Sequence, residues 1–271
     1  MRVYFAGRYT GLMYPLGLRR PLLTYADRSD RAGDAFGFWI GREDAEVFLD
    51  SGAFGVHVRG TVIDLSEYCD FLEAHRHALA CYAALDVIGD HAATARNLAV
   101  MRARGLDPVP TFHKGSPWSA LDAVVDGSSY IALGGLMSAE GRRDFHRRET
   151  LQPYLDAVFS RLERHWPVRV HLFGVTTQWV LERYPVYSSD SASAVIGGAN
   201  GILMRWQDGV AQWVHWTDHV AATWDASVAE RVAGEGTEAP RLGRWGASLS
   251  SIGSLERHVT DVWRAKGVAW D

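Results

Sequence analysis

The stretch YSSDSAS at residues 187–193 sets one carboxylate, Asp190, among small hydroxyl and methyl side chains, directly after the apolar and aromatic run of Tyr184, Val186 and Tyr187. A charge at the end of an apolar run either caps a turn or acts as a nucleophile that needs open space above it. Two more aspartates stand in comparable settings, Asp50 in FLDSGAF and Asp86 in AALDVIGD. Nearby in kind are His113 in PTFHKG and the pair Gly134 and Gly135 in IALGGLM. Two carboxylates in one site can share proton transfer and covalent attack, provided their environments hold them in different protonation states. Adjacent glycines let a flat ligand lie close against the main chain. Taken singly, each aspartate is equally well explained as a cap of the next helix or turn. All three together favour a site, since small neighbours leave Asp50 and Asp190 accessible.

The order of the surrounding elements says how such residues would be gathered. Apolar runs ending in Gly, Asp or Ser (45–54, 80–90, 107–115, 128–137, 168–176 and 185–195) alternate with stretches of helical period (64–79, 91–105, 116–126, 150–166 and 177–184). Ser116 is the expected N-cap of the helix at 116–126, with Pro117 in its first turn. A first strand is expected near RVYFAG, a further apolar run lies at 199–206, and a closing helix is expected at 254–267, after an exposed loop at 234–246. Strand and helix alternating at this spacing predict βαβ units on a parallel sheet. Their number favours an α/β fold of the (β/α)8 TIM-barrel type over an open doubly wound sheet. Neither G-x-G-x-x-G after a strand nor a Walker A sequence occurs, which counts against the nucleotide-binding open sheets. In a barrel the reactive groups belong at the C-terminal strand ends, where the three aspartates fall. No linker or low-complexity tract interrupts residues 1–271, so one domain is expected.

Composition excludes several classes. The chain has 271 residues and a net charge of −4, unlike a generic polyanion binder. Cys69 and Cys81 are its only cysteines, too few for a disulfide framework or a thiolate zinc site, and both are expected to be packed free thiols. Lys114 and Lys266 are the only lysines, so arginine carries nearly all the positive charge. No run approaches the roughly 20 apolar residues of a membrane span. No signal peptide is read at the start, and the expected location is the cytoplasm.

The motifs LDSGAF, ALDVIGD, YIALGGLMSAE and SSDSAS, in that order and at that spacing, resemble the guanine transglycosylase superfamily over residues 45–195. That family contains the tRNA-guanine transglycosylases and relatives that insert 7-deazaguanines into DNA. The resemblance implies a (β/α)8 barrel, no cofactor, and base exchange at a ribose C1′. It implies Asp190 as the nucleophile, with Ser188, Ser189, Ser191 and Ala192 keeping the approach to the sugar open, and Asp50 as the proton donor and acceptor for the bases. Asp86 would accept from guanine N1–H and its 2-amino group, while Gly134, Gly135 and the Leu136 main chain would read the opposite edge. Glu140 would steady that peptide, and His113 falls where the family more often has glutamine. Phe54, Phe112 and Met137 are candidates for a lid by position.

This chain departs from the tRNA enzymes. No cysteine follows residue 200, and His215, His219 and His258 have no convincing ligand spacing, so no zinc is expected and the zinc subdomain is reduced or absent. The expected activity is therefore the DNA branch found in phages and bacterial islands, exchanging guanine for 7-cyano-7-deazaguanine (preQ0) or a relative. DNA would be met by Arg19 and Arg20 and by Arg142, Arg143, Arg147 and Arg148, although Asp144 and Glu149 balance the second group. The target nucleotide would be flipped or melted from the duplex, with a duplex-opening partner protein as one means. The alternatives are a tRNA enzyme working with a partner subunit and a non-catalytic module that holds a deazaguanine or nucleic acid.

Overall fold

The computed structural model describes residues 1–7, 14–27, 35–136, 148–215 and 239–270. Eight short strands form one all-parallel sheet: β1 (Arg2–Ala6), β2 (Pro21–Thr24), β3 (Phe48–Asp50), β4 (Cys81–Tyr82), β5 (Thr111–His113), β6 (Tyr130–Gly134), β7 (Arg169–Leu172) and β8 (Ser188–Ser191). Their lateral order is β4-β3-β2-β1-β8-β7-β6-β5. The sheet curls but does not close as a barrel; just outside its outermost strands one isolated parallel bridge joins Ala83 to Val109. There Val109 N–H donates to Tyr82 O at 2.8 Å and Ala84 N–H to Val109 O at 2.9 Å. The α/β class and the parallel sheet stand as the periodicity predicts, while the expected barrel is left open between β4 and β5, which form no ladder.

Helices cover the outer face: α1 (Ala35–Ile40), α2 (Ala53–Arg59), α3 (Leu65–His75), α4 (His91–Ala103), α5 (Trp118–Asp126), α6 (Arg148–Leu162), α7 (Gln178–Arg183), α8 (Ser193–Ala199) and α9 (Ala239–Ala265). Asp64 and Asp90 start α3 and α4 by accepting the N–H groups of Glu67 and Ala93 at 2.9 and 2.8 Å, satisfying donors that a helix start leaves free. Helix α5 begins one residue later than expected, because Pro117 itself is extended (φ −64°, ψ 146°) and takes the capping position in place of Ser116. None of the described helices is long and apolar enough to cross a membrane.

Alternation along each strand separates two cores. Residues facing outward (Val3, Leu49, Ile131, Leu133, Val170 and Leu172) pack with Trp39, Tyr68, Leu72, Met101, Leu155 and Trp245 of the helices. Residues facing into the curl (Tyr4, Leu22, Phe48, Ala83, Val109 and Ala132) fill a second, smaller cluster. That inner plug supports the strand ends where the aspartates sit.

Two expectations are corrected. The run at 199–206 joins no parallel sheet; it supplies β9 (Ile202–Gln207), which pairs antiparallel with β10 (Val210–His215). The eighth parallel strand is β2, four residues too short to show a period. Of the expected loop at 234–246, residues from 239 onward belong to α9, and Trp245 is fully buried. Helix α9 also repairs the sheet. Pairing of β1 with β2 begins only at Phe5 and Pro21, and Glu256 of α9 takes the Val3 N–H at 2.8 Å and both bonds of the Arg20 guanidinium at 2.7 Å.

Candidate active site

Asp50 ends β3, and the chain turns at once through Ser51 and Gly52 into α2. Gly52 N–H donates to Asp50 Oδ2 at 3.1 Å. This turn needs glycine: its φ is +85°, and a Cβ there would meet the Cβ of Ala26 at 2.5 Å and Thr24 Cγ2 at 2.8 Å. Gly52→Ala is expected to cost about 2–3 kcal/mol, from left-handed strain plus overpacking. Urea unfolding checks this as a lower midpoint at unchanged slope.

Asp86 follows β4 and is held on both oxygens. Ser51 O–H donates to Oδ1 at 3.2 Å, and His113 Nε2 lies 2.6 Å from Oδ2. The nitrogen that faces a carboxylate carries the hydrogen, so His113 is the donor of that pair. The His113 and Asp86 side chains are only 13% and 11% exposed, which strengthens the bond. Behind them Gly134 ends β6. A Cβ on Gly134 would press on His113 Cε1 and Thr111 Cγ2 at 2.9 Å, so glycine here makes room for the imidazole. Gly135 is exposed with φ +67°, and its peptide lies against Lys114.

Asp190 lies on β8 in register with Tyr4 of β1 and faces into the curl. Its Oδ1 accepts from Gly174 N–H at 2.9 Å and from His171 Nε2 at 3.2 Å. The neighbouring serines do not keep its approach open, as alternation explains. Ser188 lies under Asp190 against His171 at 2.7 Å, Ser189 points outward into the core, and Ser191 Oγ accepts the Ser193 N–H that starts α8.

The three carboxylates act on one another. Burial pushes the Asp50 carboxyl up to about 7, and the charges of Asp86 and Asp190 push in the same direction; N–H groups of Gly52 and Ser51 oppose them. Asp50 keeps some contact with solvent, yet dense protein around it penalises its charged form. The strand ends thus gather three carboxyls near enough for two of them to raise the third.

No protein-family model matches the chain, and no curated protein matches it. The chemistry of the site follows from its geometry.

Asp50, Asp86, His113, Gly134 and Asp190 meet at one end of the sheet. Leu136 is buried in the outer core. Glu140, Met137, Arg142, Arg143 and Arg147 lie outside the described residues. Arg19 and Arg20 are not brought to this end. They precede β2, whereas Asp50 is level with its last residue, Thr24. Arg19 pairs with Asp44 at 2.7 Å and Arg20 with Glu256, so their charges are already matched. Arg148 starts α6, donating to Gln152 at 2.8 Å with its guanidinium 5.7 Å from the Trp179 ring centroid. Of the lid candidates, Phe54 is 51% exposed on α2 just past Gly52, while Phe112 is buried and stacks on Trp118. Ser51, Gly174 and His171 were not singled out from the sequence. The signal for His171 was present: in RVHLF it shares the inward phase with Arg169 and Phe173.

Proposed function

We propose that the protein exchanges guanine in DNA for a 7-deazaguanine through a covalent glycosyl-Asp190 intermediate, on a sheet we read as a (β/α)8 barrel. The observation that carries the proposal is the contrast between Asp50 and Asp190. One carboxyl has its pKa raised to about 7 by burial, and the other accepts two hydrogen bonds on a single oxygen. A carboxyl that holds its proton beside a carboxylate oriented by hydrogen bonds can divide acid–base work from nucleophilic work.

In the first step an Asp190 oxygen bonds to C1′ and the C1′–N9 bond breaks. The electron pair stays with guanine, which takes its proton from Asp50. In the second step the entering 7-deazaguanine gives its N9 proton to Asp50 and bonds to C1′. The ester bond breaks and Asp190 recovers its charge. Configuration at C1′ is inverted twice and so retained. Asp86 accepts from the N1–H and amino edge of the purine, and the exposed Gly135 main chain meets the opposite edge. Phe54, exposed on α2 just past Gly52, supplies the ring that covers the base.

The preference for DNA rests on the absence of any cysteine after residue 200, which removes the zinc motif of the tRNA enzymes. Incubation with radiolabelled preQ0 and either duplex DNA or tRNA tests the assignment. Label is expected in DNA. Label confined to tRNA overturns the DNA assignment while leaving the chemistry, and label in neither overturns both.

A further inference from the structure

The geometry points to His171 as the positioning residue of Asp190, with Oδ2 as the oxygen that meets the sugar; this rests on the nucleophile assignment above. Both hydrogen bonds to Asp190 fall on Oδ1, from Gly174 N–H at 2.9 Å and His171 Nε2 at 3.2 Å. Oδ2 accepts none among the described residues, and it is not among their sealed, unpartnered polar atoms. The carboxylate is thus held by one oxygen and presented by the other.

What holds the imidazole is unusually complete. His171 is fully buried, and its ring meets Phe48, Phe173 and Tyr4 edge-on at centroid distances of 4.8, 4.6 and 6.2 Å. Its Nδ1 lies 2.7 Å from Ser188 Oγ, which lies 2.6 Å from the Tyr130 hydroxyl. A nitrogen facing a carboxylate carries the hydrogen. In the tautomer with its hydrogen on Nε2, Nδ1 is left to accept from Ser188 O–H, and the Ser188 oxygen to accept from Tyr130 O–H. The donors then run one way, from Tyr130 through Ser188 and His171 to Asp190. A ring fixed at both nitrogens and packed by three aromatic side chains cannot turn its Nε2–H away.

The consequence falls on the second half of the exchange. Once Oδ2 is bonded to C1′, Oδ1 is the ester carbonyl, and both donors remain on it. They bind a carboxylate more strongly than an ester carbonyl. They therefore stabilise the departing carboxylate as the C1′–Oδ2 bond breaks and N9 of the entering base bonds to C1′. Loss of the His171 bond spares formation of the ester and slows its release.

His171→Phe, which fills the same apolar cage, is expected to keep KM for the base and to lower kcat on the order of 10- to 100-fold. The fraction of protein linked to DNA on a denaturing gel should rise. His171→Gln, whose amide can bring an N–H to the same oxygen, should recover most of the rate. Wild-type kcat with a wild-type adduct fraction in His171→Phe overturns the inference, as does a change confined to KM. If circular dichroism shows that variant unfolded, Ser188→Ala decides: a several-fold lower kcat with more adduct supports the relay, and unchanged values overturn it. Asp190→Asn separates the two levels. Adduct persisting in it sinks the nucleophile assignment. Adduct lost in it, with His171→Phe indistinguishable from wild type, sinks the relay alone.

Discussion

Asp190→Asn abolishes base exchange, lowering kcat on the order of 10⁴-fold or more, because an amide forms no ester with C1′ while the rest of the pocket stays in place. The fold should survive the change. The amide oxygen can still accept from Gly174 N–H and His171 Nε2, the two contacts that orient the side chain. A second effect accompanies the loss. The Asp190 charge is one of the influences that raise Asp50, so its removal should bring the Asp50 titration down from about 7. Carbon-detected NMR of the Asp50 carboxyl reads that shift directly. An Asp50 titration unmoved in Asp190→Asn would mean that the two carboxylates do not face one another.

Asp50→Asn is expected to trade activity for stability. Exchange should fall about 10²- to 10⁴-fold, since neither the leaving nor the entering base then has its proton carrier. Stability should rise, with a sign that follows from the raised pKa. Below pH 4 the carboxyl is protonated in folded and unfolded chains alike, and its burial carries no ionic cost. Between about 4 and 7 the unfolded chain releases its proton while the folded chain retains it, so stability falls as pH rises. Above 7 both states are ionised and the full penalty remains. Asparagine does not titrate. The variant should therefore match wild type near pH 4 and exceed it at pH 8 by on the order of 4 kcal/mol. Urea melts across that range check it, and an Asp50→Asn chain that is less stable at pH 8 contradicts the buried, proton-bearing carboxyl.

The sheet and most of its helices were legible because parallel strands buried on both faces read as short apolar runs, and the helices between them carry their own period and caps. Asp50, Asp86, His113 and Asp190 could be placed at strand ends for the same reason. What escaped has physical causes. Strand β2 is only four residues long, and where its pairing with β1 gives out the Val3 N–H of β1 is taken by Glu256, on a helix more than two hundred residues away. Trp245 and its neighbours look like an exposed loop because GEGTEAPRLGRWG is rich in glycine and charge, yet the segment from 239 onward is helical under the pull of a buried tryptophan. Arg19 and Arg20 form a plausible basic pair in sequence, but their partners Asp44 and Glu256 are distant along the chain and spend that charge on the fold. His171 was hidden in plain alternation, since a lone histidine in an apolar strand usually signifies packing. Only the positions of Ser188, Tyr130 and Asp190 give it a task.

The most direct measurement is peptide mapping of protein caught during exchange on a DNA substrate and quenched in acid. A nucleotide mass on Asp190, within the peptide that follows Arg183, is the predicted result. Exchange that proceeds with no covalent adduct, or with the adduct on another side chain, contradicts it.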